Sequence, residues 1–372
     1  MKATMDAMKA TMEAFLLTKP AIKNATTQPR KLYAKMPGLA TDIISICGEN
    51  VKRVANCEMV DDFTMEAMFC QILSREGEDV QGRIQVFSTY LYSSMRQNTS
   101  THDKVIRFTH PKHNNSDGKR NIDIFAKEMV CIPIFYASHF SLVVLVNHAL
   151  LLEQEETEKN DTPKAMMIHL DSLPGCHSTA QISSNIHAWI NILYKKKLNS
   201  QHKFLSPPKI IDSTTLPVVK PDVHYQSNGI DCGMHVLFFF QLLLLRRPIE
   251  PTLSDIHNGM KRFFVSNQFT DKDMISMRQY ILLRMEKHAE TTFELIEGSN
   301  EENDDDDDDD DDDDVVVIMN MNTTNGRDNN NHDDDDDVVV IMNIDDRENS
   351  HGLFIRHINN KRTKIGNVIV ID

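Results

Sequence analysis

The sequence has no apolar segment long enough to cross a membrane. Its longest apolar run, residues 236–245, is interrupted by Gln241 and ends at Arg246, whereas a membrane-spanning helix needs about 20 consecutive apolar residues. The apolar stretch near the N-terminus, residues 14–17, is too short to be the core of a secretion signal. We therefore expect a soluble protein that is not secreted and has no membrane partner.

Cysteine is scarce, and the six cysteines show no paired arrangement. They form no CxxC motif and no metal-ligand spacing, so the sequence predicts neither a disulfide framework nor a zinc site. Free thiols are typical of a reducing compartment. We expect a protein that uses no metal and no other cofactor.

Basic residues are not in excess. The net charge is −15, but residues 301–372 hold 23 of the 55 acidic and 6 of the 40 basic residues, which leaves the first 300 residues at +2. This nearly neutral region has neither the basic surface nor the motifs with which proteins bind nucleic acids. We therefore do not expect nucleic acid to be a partner.

Composition divides the chain into an N-terminal extension (residues 1–38), a folded domain (39–292) and an acidic tail (293–372). The extension begins with a duplicated heptad, MKATMDA and then MKATMEA, whose methionines recur at helical spacing. This pattern predicts an amphipathic helix that ends at Pro20. Because the segment up to Lys35 is basic and poor in acids, an organelle transit sequence is an alternative interpretation.

The folded domain alternates between helical and strand-like patterns. Helices are predicted at 42–95 (including 84–95), Gln181–Leu198 and Thr270–Lys287, and strands at Met129–Phe135, Phe140–Val146, Ala165–Leu170 and Ile210–Asp212. Residues 98–120 and 153–163 are polar and predict loops. His139 and Asp171 lie at the ends of predicted strands, where a rigid scaffold usually presents catalytic side chains.

Cys232 has the most informative surroundings. It follows the turn-prone residues 227–229 and precedes the long apolar run, which predicts a buried helix that begins at the cysteine. The positive end of a helix dipole and its unpaired N–H groups favour thiolate over thiol, so Cys232 is a candidate nucleophile. Six residues earlier, Gln226 offers an amide donor suited to an oxyanion. The alternative is that Cys232 is only a small buried hydrophobic residue.

Thiol catalysis also needs an imidazole and a carboxylate. The imidazole forms the ion pair and protonates the leaving amine, while the carboxylate fixes the imidazole tautomer. His139 and Asp171 supply these groups in our interpretation. Each residue is weak evidence alone, because the chain has 16 histidines and 55 acidic residues.

The segments around these residues carry a more specific signal. They are HFSLVVL at 139–145, HLDSL at 169–173 and QSNGIDCGMHV at 226–236, with VDDFTMEAMFCQIL at 60–73 and FTDKDMISMRQYILLRM at 269–285. The first three resemble the catalytic blocks of the ubiquitin-like-protein-specific cysteine proteases, the SUMO protease family, related to adenovirus proteases. The last two are similar to the family's early and final helices.

The resemblance implies an α/β (α+β) papain-like cysteine protease fold, in which helices flank a central mixed sheet. It also implies that His139 is the base, Asp171 its orienting partner, Cys232 the nucleophile and Gln226 the oxyanion donor. The implied substrate is the C-terminal Gly-Gly of SUMO or a sister protein, as a precursor or as an isopeptide on lysine. The implied location is the nucleus or the cytoplasm, and we expect a monomer.

Phe140, Asp231 and Gly233 flank the catalytic positions and are expected to bind substrate. The family usually has tryptophan directly after the catalytic histidine, where it helps to form a narrow slot for glycine. Phe140 occupies that position in this sequence, and no tryptophan lies upstream. We therefore expect a looser slot.

The acidic tail contains a repeated unit, DDDDDVVVIMN, at 310–320 and 333–343. Blocks of like charge do not fold alone, so we expect the tail to be disordered. Its β-branched runs beside acids resemble SUMO-interacting motifs, which add a strand to the edge of a sheet. The two runs within the repeats are Val315, Val316, Val317 and Ile318, and Val338, Val339, Val340 and Ile341. The alternative is that the aspartates only keep the valine runs soluble.

Three hypotheses about function follow from these observations. The first is a SUMO-directed cysteine protease. The second is a binding protein with the same fold and little or no activity, and the third is a protease for another ubiquitin-like modifier such as NEDD8. Phe140 weakens the glycine slot that the first hypothesis requires, and the tail motifs favour SUMO.

Overall fold

The computed structural model describes residues 2–39, 43–97, 122–153, 162–200, 209–264 and 270–298, and four short segments of the tail. The chain divides into two units, residues 1–288 and 289–372, which we describe separately. The loop predicted at 98–120 and most of the insertion at 153–163 lie outside the described residues. Within the described residues, no helix combines the length and the apolar character that a bilayer crossing would require.

The N-terminal extension is part of the first unit. Its elements are α1 (Lys2–Leu17), α2 (Pro20–Thr26), β1 (Leu32–Pro37), β2 (Ile43–Cys47) and α3 (Gly48–Ala55). The predicted first helix is confirmed, and Met8 and Met12 of its repeat are buried. The helix predicted from residue 42 was wrong for Ile43–Cys47, which pairs with β1 as an antiparallel strand and so joins residues on both sides of position 38.

The region predicted as helical up to Met95 contains α4 (Asp62–Leu73), α5 (Glu78–Arg83), β3 (Ile84–Val86) and α6 (Tyr90–Gln97). Asp61 caps α4 by accepting a hydrogen bond from the Thr64 N–H at 2.9 Å, which satisfies one of the free donors of the first turn. The helix predicted to begin at Ile84 was wrong for its first residues. Ile84–Val86 instead pairs with a neighbouring strand, because sheet pairing overrides a short helical pattern.

A five-stranded mixed sheet forms the centre of the first unit. Its other strands are β4 (Met129–Tyr136), β5 (His139–Val146), β6 (Met166–Leu170) and β7 (Val218–Val219), and the order is β3-β4-β5-β6-β7. The three long strands confirm the prediction, and the β-branched β5 is the central strand. The strand predicted at Ile210–Asp212 was wrong, because the Asp212 carboxylate accepts N–H groups of Thr214 and Thr215 and closes a turn there.

Helices flank this sheet, as predicted. They include α7 (Thr179–Ser200) and α8 (Cys232–Leu245), and the chain continues with α9 (Leu253–His257) and α10 (Asp271–Gly298). Trp189 of α7 is buried in the core and makes an edge contact with Phe87. The α8 helix packs against β5 and α4 and is buried along most of its length, which explains its nearly continuous apolar sequence.

The second unit contains the described part of the tail, with strands β8 (Val315–Met319), β9 (Val340–Ile344), β10 (Leu353–Ile355) and β11 (Val368–Ile371). They form a separate sheet in the order β10-β9-β8-β11. The whole tail was predicted to be disordered, and these four strands differ from that prediction. They form because β-branched runs pair readily with one another. For the rest of the tail disorder stays a prediction, because the aspartate runs, and Val338 and Val339, lie outside the described residues.

Candidate active site

A tight hairpin turn presents His139. Tyr136 and His139 are paired across β4 and β5, so only Ala137 and Ser138 form the turn. Both turn residues have positive φ, at 49° and 54°, as two-residue hairpin turns require. A left-handed conformation costs energy for residues other than glycine and is often found at functional sites. The turn therefore fixes the backbone of His139 at the start of the central strand.

Asp171 lies directly behind His139. It follows the last residue of β6, the neighbour of β5 in the sheet, and the His139 Nε2 is 2.7 Å from the Asp171 Oδ1. Both side chains are buried, with 3% and 0% exposed. The structure therefore places these two predicted residues within hydrogen-bonding distance of each other.

Two further donors hold the Asp171 carboxylate. The Leu173 N–H donates to Oδ1 at 3.0 Å, and the Lys220 ammonium donates to Oδ2 at 3.1 Å. Burial alone would raise the pKa of this carboxyl, but the His139, Leu173 and Lys220 hydrogen bonds outweigh it and lower the pKa to about 2. Asp171 is therefore a carboxylate at neutral pH.

Cys232 is the first residue of α8, and its interaction with the His139 imidazole helps to raise the pKa of that histidine. Because Nε2 of the imidazole faces Asp171, Nδ1 is the nitrogen left for the sulfur. Burial would lower the pKa of His139, but the hydrogen bonds to Asp171 and Cys232 raise it to about 9. The structure thus brings cysteine, histidine and aspartate together in the arrangement that thiol catalysis requires.

Gln226 is held beside this group by Ser172. The Ser172 hydroxyl donates to the Gln226 Oε1 at 2.7 Å, and the Gln226 Nε2 donates to the Asn228 carbonyl at 2.6 Å. The second bond uses one of the two hydrogens on Nε2, so the other can donate to an oxyanion. The side chain of Asn228 folds the loop before α8 by accepting the N–H groups of Ile230 and Asp231.

The catalytic group is covered in this structure. Cys232 has no exposed surface, and His139 is only 2% exposed. A peptide carbonyl can therefore reach the sulfur only after neighbouring groups move apart. Substrate-induced opening or closure of this kind is common in enzymes.

The three residues predicted to bind substrate adjoin His139 and Cys232 in the sequence, and all three are buried. Phe140 is fully buried and stacks on Phe135 with a centroid distance of 4.3 Å. Asp231 is 1% exposed, and its carboxylate binds Arg278 and Asn228. Gly233 is buried, and the space that a side chain would need is filled by Val60 and Met65. None of the three side-chain positions is open to a substrate, because each one packs against or pairs with the core.

The close packing at Gly233 explains why glycine follows the cysteine. A Cβ at this position would lie 2.5 Å from the Val60 Cγ2 and 3.1 Å from the Met65 Sδ, so an added methyl group overpacks the contact between α8 and α4. We expect Gly233→Ala to lower the free energy of unfolding by about 1–3 kcal/mol. Urea titration followed by Trp189 fluorescence measures this effect, since Trp189 is the only tryptophan and is buried.

Gly229→Ala is the matched control for this prediction, because a Cβ there meets nothing within 4 Å. Its unfolding midpoint should stay at the wild-type value. Equal loss of stability in the two variants would contradict the packing argument.

The pKa values give a pH prediction. A histidine whose pKa is raised on folding stabilises the protein fully below its unfolded value near 6.5 and loses that contribution as the pH rises through about 9. The depressed pKa of Asp171 acts in the opposite sense, so its contribution is lost as the pH falls from about 4 towards 2. Titration of the His139 ring by NMR should show the imidazolium persisting to about pH 9.

Lys220 provides the variant for this test. Lys220→Met removes the cation that offsets the Asp171 charge, so Asp171 should hold the His139 proton more tightly. The pH at which His139 loses its proton should rise in this variant. The rise should be small, because the Lys220 side chain is 30% exposed. If His139 lost its proton at a lower pH in Lys220→Met than in wild type, the result would contradict the geometry.

Sequence reasoning missed three residues near the site. Lys220 donates to Asp171, the His177 ring lies against His139, and Ser141 is hydrogen-bonded to His177. Lys220 comes from the short strand segment near β7, which the sequence pattern misplaced. Ser141 could have been found, because it lies two residues after His139 on the same face of β5. His177 lies six residues after Asp171 in a glycine-containing turn, and the sequence offers no sign of its position.

Comparison with known proteins gives a consistent result. A family model described as the Ulp1 protease family, C-terminal catalytic domain, matches residues 57–292, which is more than half of the chain. Among solved structures, a de-sumoylating protease aligns with a TM-score of 0.51 and 15% identity over 72% of this chain and 95% of that one. This likeness shows a common fold.

Curated relatives include the probable ubiquitin-like-specific protease 2B of Arabidopsis thaliana, which is 21% identical over 261 residues, or 69% of this chain and 26% of that protein. The ubiquitin-like protease 2 of Caenorhabditis elegans is 22% identical over 280 residues, or 70% of this chain and 31% of that protein. The chain therefore spans less than a third of the length of these two relatives.

Proposed function

The chain belongs to the Ulp1 protease family, and we propose that it is a cysteine protease that cleaves after the C-terminal Gly-Gly of SUMO or a sister ubiquitin-like protein. The observation that carries this proposal is the 2.7 Å contact between His139 and Asp171, with Cys232 at a helix start interacting with the same imidazole. The bonds cleaved are the peptide bond of a precursor and the isopeptide bond to a lysine.

The proposed reaction has two steps. The Cys232 sulfur attacks the carbonyl carbon of the last glycine, and a Gln226 N–H donates to the oxyanion. His139 gives its proton to the leaving amine, and a thioester remains. In the second step His139 takes a proton from water, whose oxygen attacks the thioester and releases the glycine carboxylate and the thiol.

Two observations support SUMO as the modifier. One solved structure with the same fold is of a de-sumoylating protease, and the curated relatives are named as a ubiquitin-like-specific protease and a ubiquitin-like protease. The tail contains β-branched runs beside acidic residues, a pattern that suits strand addition to a sheet with a basic edge. The covered Cys232 favours the alternative of a protein that binds a modifier with little or no cleavage.

Activity-based probes test the proposal. The full chain is incubated with SUMO, NEDD8 and ubiquitin that each end in a propargyl group, alongside Cys232→Ala. We expect a stable adduct with SUMO that Cys232→Ala does not form. An adduct only with NEDD8 or ubiquitin would assign another modifier, and no adduct with any probe would favour the binding protein.

The tail runs provide a second part of the proposal, namely the capture of SUMO or of SUMO chains. Weak sites joined by a flexible linker gain affinity by acting together, and a linker of about 20 residues spans roughly 25 Å. In the structure, β8 pairs with β9 on one edge and with β11 on the other. Capture through β8 therefore requires one of these strands to leave.

NMR titration tests the capture. A peptide of residues 303–345 is added to labelled SUMO, and we expect shifts along one edge of its sheet. The control peptide keeps every aspartate and replaces both VVVI runs by serines. Shifts of equal size with the control would show that charge alone is responsible, and an absence of shifts with the native peptide would reject capture.

A further inference from the structure

A second histidine lies against the flank of His139. The ring centroids of His177 and His139 are 4.6 Å apart with an interplanar angle of 64°. His177 is 3% exposed, and it stacks on the Tyr136 ring at 4.0 Å. The guanidinium of Arg96 lies over the same tyrosine ring at 4.4 Å. His177 is therefore wedged between the catalytic imidazole and an aromatic stack.

Hydrogen bonds fix the tautomer of His177. Its Nε2 is 3.1 Å from the Tyr136 carbonyl, which can only accept, so Nε2 carries the hydrogen. Burial lowers the pKa of His177 to about 4, and a neutral ring has a lone pair on Nδ1. That nitrogen is 2.7 Å from the Ser141 Oγ, so the serine hydroxyl donates to it.

The chain of hydrogen bonds continues in one direction only. Because Ser141 has used its hydrogen, its oxygen accepts from the His169 Nε2 at 3.0 Å. Burial lowers the pKa of His169 to about 4 as well, so the His169 Nδ1 accepts from the Thr179 hydroxyl at 2.8 Å. The order is Thr179, His169, Ser141, His177 and the Tyr136 carbonyl. The hydroxyl at one end and the carbonyl at the other determine the direction.

Catalysis makes a specific demand on this arrangement. When the sulfur bonds to the substrate carbon, His139 loses its Cys232 partner and is attached only through Asp171. A ring held at one nitrogen can pivot, yet it must stay in place to protonate the leaving amine. The groups around His139 are Asp171, Cys232 and His177, and Lys220 lies behind the carboxylate. Of these, His177 is an aromatic ring that hydrogen bonds at both of its nitrogens hold in place.

We infer that His177 is a positioning residue that holds the His139 imidazole in its catalytic orientation, and that the hydrogen-bond chain from Thr179 keeps the His177 ring fixed for this purpose. The inference rests on the proposed protease function. It concerns orientation during the reaction, so it predicts a change in kcat with little change in KM.

Kinetics with a fluorogenic amide of the SUMO C-terminus test the inference. Misplacement of a catalytic group costs on the order of 10–100-fold, so we expect His177→Ala to lose that much in kcat while KM stays within about two-fold of wild type. His177→Phe, which keeps a planar ring beside His139, should recover part of the loss. Equal kcat for wild type and His177→Ala would overturn the inference and leave the proposed function intact.

Thr179, at the far end of the hydrogen-bond chain, gives a variant remote from the substrate. Thr179→Val keeps the shape and removes the hydroxyl, so it should lower kcat, although less than His177→Ala does. Thr179→Ser restores the donor and should rescue kcat. Equal kcat for the valine and serine variants would overturn the role of the chain. If thermal melting shows that His177→Ala does not fold, the comparison of Thr179→Val with Thr179→Ser still tests the inference.

A spectroscopic measurement tests the chain without any catalysis. In protein with 15N-labelled histidine, we expect His177 and His169 to be neutral at pH 7 with the hydrogen on Nε2. A charged ring, or a hydrogen on Nδ1 in either residue, would overturn the chain. If wild type cleaved no ubiquitin-like substrate, the proposed function would fail, whereas this measurement would still support or overturn the hydrogen-bond chain.

Discussion

Cys232→Ala is expected to abolish cleavage of a SUMO C-terminal amide. The structure places this sulfur against the imidazole of the His139–Asp171 pair. In proteases that use a triad, loss of the nucleophile or the base costs on the order of 10⁴–10⁶-fold in rate. The measurement is the initial rate with a fluorogenic substrate at saturating concentration.

The companion variants follow from the same geometry. His139→Ala should be about as inactive as Cys232→Ala, and the double variant should be no worse than either one, because the two residues act as a unit. Asp171→Asn should retain more activity, since the asparagine oxygen can still accept the Leu173 N–H and the His139 Nε2–H. Its loss should appear mainly in kcat, because the neutral amide no longer stabilises the imidazolium.

Cys70→Ala is the control for thiol chemistry. Burial raises the pKa of the Cys70 thiol to about 12, so this residue stays protonated and unreactive at neutral pH. The variant should keep both its turnover and its labelling by the SUMO probe. Residual turnover by Cys232→Ala above about a hundredth of the wild-type rate would contradict the assignment, because it would exceed what binding alone supplies.

The sequence was sufficient to select three residues that the structure brings together. His139, Asp171 and Cys232 stand at ends of regular elements, and strand and helix patterns are strong where apolar residues continue for a whole element. The same patterns predicted β4, β5, β6, α7 and α8 within a few residues. The positions of the three catalytic groups follow from the order of those elements in the sheet.

The residues that support the triad were less accessible from the sequence. Lys220 and His177 lie in irregular segments whose backbone is set by local hydrogen bonds rather than by periodicity. Phe140 was misinterpreted for a different reason. A residue next to a catalytic histidine on a central strand points to the opposite face of the sheet, and there it packs against Phe135 and near Gly233.

The pairing of Asp231 with Arg278 carries the largest predicted effect on stability. The two side chains are 1% and 0% exposed, and the Arg278 Nη2 donates to the Asp231 Oδ1 at 2.6 Å. Arg278 also donates to the Val54 carbonyl at 3.4 Å. The pair therefore ties α10 and the end of α3 to the residue immediately before Cys232.

Asp231→Asn should lower the free energy of unfolding by about 3–5 kcal/mol, because it leaves a buried guanidinium without an opposing charge. An asparagine cannot satisfy both neighbours. Its oxygen can face Arg278, but its amide nitrogen then faces the Asn228 Nδ2, which is also a donor. Asn228 cannot turn to help, since its own oxygen accepts the N–H groups of Ile230 and Asp231.

A double-mutant cycle separates the pair from the general cost of changing a buried residue. Arg278→Met removes the charge left by the first change, so the double variant should be more stable than the sum of the single losses predicts, by about 1–3 kcal/mol. Asp79→Asn is the matched control, because that carboxylate pairs with Arg83 while 84% exposed, and it should change stability by less than about 0.5 kcal/mol. Urea unfolding followed by Trp189 fluorescence gives all four values. Additive losses, or a loss in Asp231→Asn no larger than in Asp79→Asn, would show that the buried pair does not hold the start of the Cys232 helix.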